Sequence, residues 1–222
     1  QLNQTALSCS KLLNALSEMP NKYRPLKRKE SYFTDYEIEI FSKLQKSQYN
    51  WKNIFGERFA EKLYLNWDYI FNQWLFINSH SFIKKQYNSV IHHDLHPQNF
   101  IIANNKIFII DYDSVVIGAS QSAIGFSIIR LIKHLLDISS KDIRNIDISL
   151  LCKEWITTVG LNFHLFNDNN EVEIFGRAEV FRRFLSMTNK AFLNIPSSFN
   201  GPETHLDSLF VADKIFGKSN SI

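Results

Sequence analysis

Several residue types that build ready-made sites are scarce in this chain. Only two cysteines occur in 222 residues, Cys9 and Cys152, far apart and in no metal-ligand spacing. That excludes a disulfide framework or a zinc knuckle and favours a reduced, cytoplasmic protein. Glycine is also rare, seven in all and none before Gly56. The N-terminal stretch therefore lacks the Gly-rich loop that wraps nucleotide phosphates. No apolar run approaches the ~18 residues of a membrane span, so no membrane partner is expected. The opening Gln1-Leu2-Asn3-Gln4 is neither a signal peptide nor an initiator methionine, and the chain is expected to begin inside a longer gene product. A net charge of +3 gives a mildly basic surface, not the concentrated field of a nucleic-acid binder. The one basic run, Lys22 to Lys29, reads as a solvated loop.

Apolar material is plentiful. A hydrophobic fraction of 45% with 19 Phe is enough for a proper core and argues against disorder. Helical spacing marks Thr5 to Leu16 and Tyr36 to Leu44. Phe55 to Lys85 reads as one long helix, apolar on more than one side and so expected at the centre of a helical domain. Short β-branched or apolar stretches then follow: Ser89 to Ile91, Asn99 to Ala103 and Lys106 to Ile110. Asn104-Asn105 between the last two is an acceptable two-residue turn, because Asn tolerates positive φ. Further helices are expected over Gln121 to Leu136, Ile143 to Val159, Glu171 to Leu193 and Leu206 to Ile215. The fold class is mostly α with a small β-hairpin.

The chemistry gathers at that hairpin. His92-His93-Asp94-Leu95-His96-Pro97-Gln98-Asn99 precedes it, and Ile110-Asp111-Tyr112-Asp113 follows it. Acids, an amide and imidazoles thus crowd the ends of apolar strands, where loops on a rigid support carry catalytic groups. Phosphoryl transfer needs a carboxylate to orient the acceptor hydroxyl and take its proton. It also needs two oxygen ligands to hold Mg²⁺ against the nucleotide phosphates. Asp94, with Asn99 and Asp111, has the spacing of a kinase catalytic loop and its metal-binding aspartate.

On these residues the chain resembles the aminoglycoside phosphotransferase and choline kinase superfamily of small-molecule kinases. His-x-Asp-Leu-His-Pro-x-Asn, a hairpin, then Ile-Asp-Tyr-Asp is similar to that superfamily's signature, strongly from Val90 to Asp113. His96-Pro97 stands where protein kinases carry Lys, and Tyr112-Asp113 stands in place of Phe-Gly. Both differences point to the small-molecule branch. The resemblance implies that residues 1–222 form the C-terminal catalytic lobe of the protein-kinase-like fold, with the loop and hairpin at 90–113. The N-lobe would be supplied by the same gene product or by another chain. It implies ATP and Mg²⁺ as cofactors and a small-molecule hydroxyl as acceptor. Asp94 would be the base, with His92, and His96 likewise, bracing the loop through backbone hydrogen bonds. Asn99 and Asp111 would hold Mg²⁺ and the nucleotide, and Asp113 matches a second acidic position. His93 would face solvent or substrate.

Two other readings exist. Three His and an Asp within five residues invite a zinc hydrolase, although adjacent His92 and His93 should point apart. A non-catalytic kinase-like binding module is the other. It is favoured by the missing Gly-rich loop, and by Ala123-Ile124-Gly125-Phe126-Ser127 where relatives carry an Asp that holds the catalytic loop. Trp155, Phe163, Phe181, Arg182 and Arg183 are candidates for an acceptor pocket, as are Glu171, Glu173 and Glu179 if the acceptor is cationic. At helical spacing such glutamates are expected on a solvated face.

Overall fold

The computed structural model describes residues 2–20, 34–84, 87, 89–104, 106–138, 147–162, 169–196 and 201–217. The basic run at 22–29, Asn105, the 143–146 start of one expected helix, and Phe163 lie outside them. Nine α-helices and four short strands occur among the described residues: α1 (Leu2–Ser17), α2 (Asp35–Lys46), α3 (Trp51–Phe55), α4 (Glu57–Leu65), α5 (Trp67–Asn78), β1 (Ser89–His92), β2 (Phe100–Ala103), β3 (Lys106–Ile109), β4 (Val115–Gly118), α6 (Ser120–Ile138), α7 (Ile148–Asn162), α8 (Asn169–Phe192) and α9 (Pro202–Phe216). Among these residues no helix is long and apolar enough to cross a membrane.

The expected helix over Phe55 to Lys85 is instead broken: α3 ends at Phe55, α4 and α5 follow, and a 3₁₀ turn spans Ser81–Lys84. Gly56 takes φ 78°, closing α3 and opening α4, and the chain turns again at Asn66. The pieces are therefore amphipathic rather than wholly buried, and Leu65 stands 77% exposed. Their inward faces are aromatic. Phe41 of α2 stacks on Trp74 at 4.3 Å and on Trp67 at 5.7 Å, and also meets Phe181 of α8. Such pairs contribute about 1 kcal/mol each beyond the area they bury.

Around α8 the other helices assemble. It packs on α6, α9 and α2. The α6–α8 crossing is backbone on backbone: a Cβ on Gly125 would lie 2.2 Å from the Val172 carbonyl oxygen and 2.8 Å from the Gly176 Cα. Only two glycines facing each other permit this approach. Arg177 is fully buried in α8 and ties it to its neighbours, meeting Glu173 at 2.8 Å, Asp213 at 2.5 Å and the Gly217 carbonyl at 2.7 Å. Pro202 opens α9 and Gly217, at φ 92°, ends it.

Two antiparallel ribbons are set into this frame. β2 pairs with β3, Phe100 opposite Ile109 and Ala103 opposite Lys106, with Asn104 at φ 49° in the turn. β1 pairs with β4, Ser89 opposite Gly118 and His92 opposite Val115. The β4 strand was not expected, although Val115-Val116-Ile117 carries the β-branched signal for one. Its effect is decisive for the site. The β1–β4 ribbon brings the chain back beside its own start, so the segments on either side of the hairpin lie together.

Candidate active site

Segments 93–99 and 110–114 connect the two ribbons and are laced to each other through the backbone. The His93 N–H donates to the Ser114 carbonyl at 3.1 Å, and the Ile110 N–H donates to the Asn99 carbonyl at 3.0 Å. Each candidate side chain hangs on this lacing.

His92 is fully buried at the end of β1. Its Nε2–H donates to the Ile110 carbonyl at 3.1 Å, and its Nδ1 accepts from the Asp94 N–H at 3.4 Å. The two bonds fix one neutral tautomer spanning both segments. Burial pushes its pKa down, against the pull of the Ile110 carbonyl and of Asp94 and Asp111. His93 does not simply face solvent: it is half-buried and donates from Nδ1 to the Ser114 carbonyl at 2.7 Å. His96 differs from expectation too. Its Nε2 lies 3.6 Å from Asp94 Oδ2, so it flanks the carboxylate, and its Nδ1 is buried without a partner.

Asp94 is the most constrained residue of the set. Arg183 of α8 brings Nη2 to 2.9 Å from Asp94 Oδ1, and the same nitrogen donates to the His93 carbonyl at 3.2 Å. The ion pair is close but not aligned as a hydrogen bond, since Oδ1 accepts none. Burial alone would raise the Asp94 pKa; the approach of His96 and the Arg183 charge win, holding the carboxyl well below the usual range. Arg183 is itself clamped. Its Nε donates to the buried carboxylate of Glu179 at 2.9 Å, and its guanidinium lies 4.3 Å from the centre of the Phe126 ring. Glu179 also accepts from Arg182 at 2.9 Å.

Neither glutamate nor aromatic candidates turn out as a solvated face or an open pocket. Glu179 is 0% exposed, Trp155 and Phe181 belong to the core, and Glu173 is tied to Arg177. Glu171, half-buried, accepts from Gln121 at 3.0 Å. The missing acid in Ala123 to Ser127 has a counterpart elsewhere: the loop is held from α8 by Arg183. Sequence reading placed Arg183 only as a possible pocket residue. The i,i+4 spacing of Glu179 and Arg183 was legible, but a partner in the distant loop was not.

Asn99 is buried at the foot of β2. Its Nδ2 donates to the Asp94 carbonyl at 2.8 Å, which spends the amide nitrogen and leaves Oδ1 as its free acceptor. Asp111 takes the left-handed conformation, φ 66° and ψ 56°, and is exposed. A non-glycine residue with positive φ is uncommon and such residues cluster at functional sites. Asp113 is exposed in the turn after it. An amide oxygen and a carboxylate are the hard ligands Mg²⁺ prefers, so Asn99 and Asp111 fit that ion. Among the described residues, no three His, Cys, Asp or Glu side chains converge as a metal site. The His92 and His93 rings are engaged with separate carbonyls, which argues against a histidine-rich zinc centre.

A helical lobe, interlaced ribbons and a carboxylate loop are consistent with a partial kinase-like fold. Solved structures show the same fold. Spectinomycin phosphotransferase APH(9)-Ia in its AMP-bound complex superimposes with a TM-score of 0.57 at 16% identity, over 100% of this chain and 65% of that one. Its complex with ADP and spectinomycin gives 0.58 at 15% identity, over 99% and 63%. The chain thus spans less than two thirds of the length of these neighbours. No family model and no curated protein sequence matches it.

Proposed function

We propose that this chain is the catalytic half of an ATP-dependent phosphotransferase that moves the γ-phosphoryl group to a hydroxyl of a small molecule. The observation that carries the reading is Asp94: a carboxylate kept charged by Arg183 and flanked by His96, on a loop fastened at both ends. Asp94 orients the acceptor hydroxyl and receives its proton as the oxygen bonds to phosphorus; ADP leaves with the electron pair of the broken bond. A carboxylate this acidic suits a loose transition state, in which the proton departs late. His92 braces the loop. Asn99 and Asp111, with Asp113 nearby, hold Mg²⁺, which when bound neutralises charge on the phosphoryl oxygens.

A groove of about 520 Å³ between α1 and β3, lined by Leu7, Leu12, Lys11, Ile107, Ile109 and Tyr112, offers a floor for the nucleotide base. Leu7, Phe108 and Tyr112 are exposed on it. The lobe that closes over this floor belongs, in this reading, to polypeptide outside residues 1–222, in the same gene product or another chain. The nucleotides in the neighbours' crystals support an ATP site here. Buried Cys9 and Cys152, whose thiols burial pushes up to about 12, are inert and suit a reducing cytoplasm.

The test is transfer of label from γ-³²P-ATP to a panel of hydroxyl compounds. Transfer that is Mg²⁺-dependent and absent from Asp94→Asn is the expected result. Nucleotide binding without transfer to any acceptor would instead support a non-catalytic kinase-like module.

A further inference from the structure

A second cavity opens beside the loop at His96 and Gln98. It measures about 190 Å³ and lies between the loop, α6 and the start of α9, lined by His96, Gln98, Arg130, Lys133, His134 and Thr204. His96 is common to the cavity and to the surroundings of Asp94, since its Nε2 is the atom 3.6 Å from Asp94 Oδ2. The charge here is lopsided. Asp137 is the one carboxylate on the described wall, and it is taken by Lys133 at 2.6 Å.

Arg130 is the unsatisfied member. It is half-buried, yet no carboxylate of the described residues lies within ion-pair distance of it. Its one hydrogen bond, from Nη1 to Ser208 Oγ, is a long 3.4 Å. Burial presses on its charge and the neighbouring Arg183 repels it, while Asp94 and Asp137 act the other way from beyond ion-pair distance. A desolvated guanidinium with no directly paired carboxylate is costly unless a ligand supplies one. His96 lines the same cavity, and its buried Nδ1 has no hydrogen-bond partner.

We propose that this cavity receives the anionic group, carboxylate or phosphate, of a small hydroxyl-bearing acceptor, with Arg130 as its principal partner. The inference rests on the phosphotransferase reading only for the word acceptor; the anion site stands on Arg130 and its surroundings. Arg130 offers a planar fork that matches either oxyanion, and Lys133 and His134 add donors at the rim. With water occupying ~30 Å³ each in the liquid, the volume suits a compound of about six to ten non-hydrogen atoms. An ammonium-bearing acceptor would be set against Arg130 and Lys133 and would be rejected.

The experiment is equilibrium titration of the 222-residue chain with D-glycerate, glycerol 3-phosphate, glycerol and choline, followed by amide NMR. Binding of one or both anions at about 1 mM, with shifts at residues 96–98 and 130–134 and none from glycerol or choline, is expected. D-glycerate against glycerol 3-phosphate decides between carboxylate and phosphate. Arg130→Gln should weaken the bound anion about 10-fold or more, while Lys52→Gln, at an exposed lysine of α3 outside both cavities, leaves it unchanged. Should Arg130→Gln not fold, judged by its melting curve, the exposed His134→Gln carries the test with about a 3-fold loss. Choline binding as well as the anions, no binding of either anion at about 20 mM, or equal anion binding by wild type and Arg130→Gln would each overturn the proposal. Anion binding without phosphoryl transfer would sink the phosphotransferase reading and leave the site. Transfer to choline alone would do the reverse.

Discussion

The loop at 92–99 and the turn at 110–114 face each other across the same backbone hydrogen bonds, yet they are held differently. The side chains of the loop have protein groups on them: His92 donates to the Ile110 carbonyl and accepts from the Asp94 N–H, Asn99 grips the Asp94 carbonyl, and Asp94 lies against Arg183. Asp111 and Asp113 are exposed, and what fixes Asp111 is its left-handed backbone. In the proposed reading, the group that would meet an acceptor proton is pre-set and the carboxylates that would meet a cation are left open. Preorganising the first lowers the reorganisation that the reaction demands. Leaving the second open keeps a strongly hydrated ion's own water within reach.

Exchanging the roles by mutation probes that contrast most severely. Asp94→Asn should lower the rate of phosphoryl transfer by about 10³-fold, with Mg·ATP affinity nearly unchanged. Asp111→Asn should act chiefly on affinity. Steady-state kinetics paired with titration separates the two, and equal effects on both parameters in both variants would erase the distinction. Next comes Arg183→Gln, which takes one partner from the buried Glu179 and removes the guanidinium from Asp94. Its cost should be about 3 kcal/mol in denaturant unfolding. It should also change the acid response. The folded Asp94 pKa lies below the unfolded one, so its contribution is fully present above about pH 5 and lost as pH falls below about 4. Arg183→Gln should flatten that loss.

A second acid effect comes from His205, which is 3% exposed. Burial, then the charges of Arg130 and Arg183, push its pKa down to about 3. The unfolded chain binds this proton first, so stability is complete above about pH 6.5 and falls below it by up to ~1.4 kcal/mol per pH unit. His92, also depressed, adds loss of the same sign. His205→Leu should remove the His205 share of the slope, read from unfolding curves between pH 7 and 4. The smallest expected effect is His93→Ala. It deletes the 2.7 Å bond from ring to Ser114 carbonyl that latches loop to turn, for about 1 kcal/mol of stability.

What the sequence disclosed follows the range of the interactions. Contiguous features were readable: the His92 to Asn99 motif, the β2–β3 hairpin with its asparagine turn, and the helices whose apolar spacing is local. Chain breaks were less so, because one Gly and one Asn ended helices that hydrophobicity alone ran together over Phe55 to Lys85. Long-range pairings were not readable at all. Nothing near Arg183 announces a loop carboxylate, and nothing near Arg130 announces an unpaired charge beside His96. Those positions acquire meaning only when α6 and α8 cross at Gly125 and Gly176 and carry both arginines to the loop.

The central claim is that Asn99 and Asp111 form a cation–nucleotide site. Paramagnetic broadening of amide signals by Mn·ATP tests it most directly, because it registers weak binding to the 222-residue chain without requiring turnover. Broadening centred on residues 99 and 110–113, retained in Asp94→Asn and lost in Asp111→Ala, is the predicted result. Broadening that is absent, that centres elsewhere, or that survives unchanged in Asp111→Ala would contradict the account.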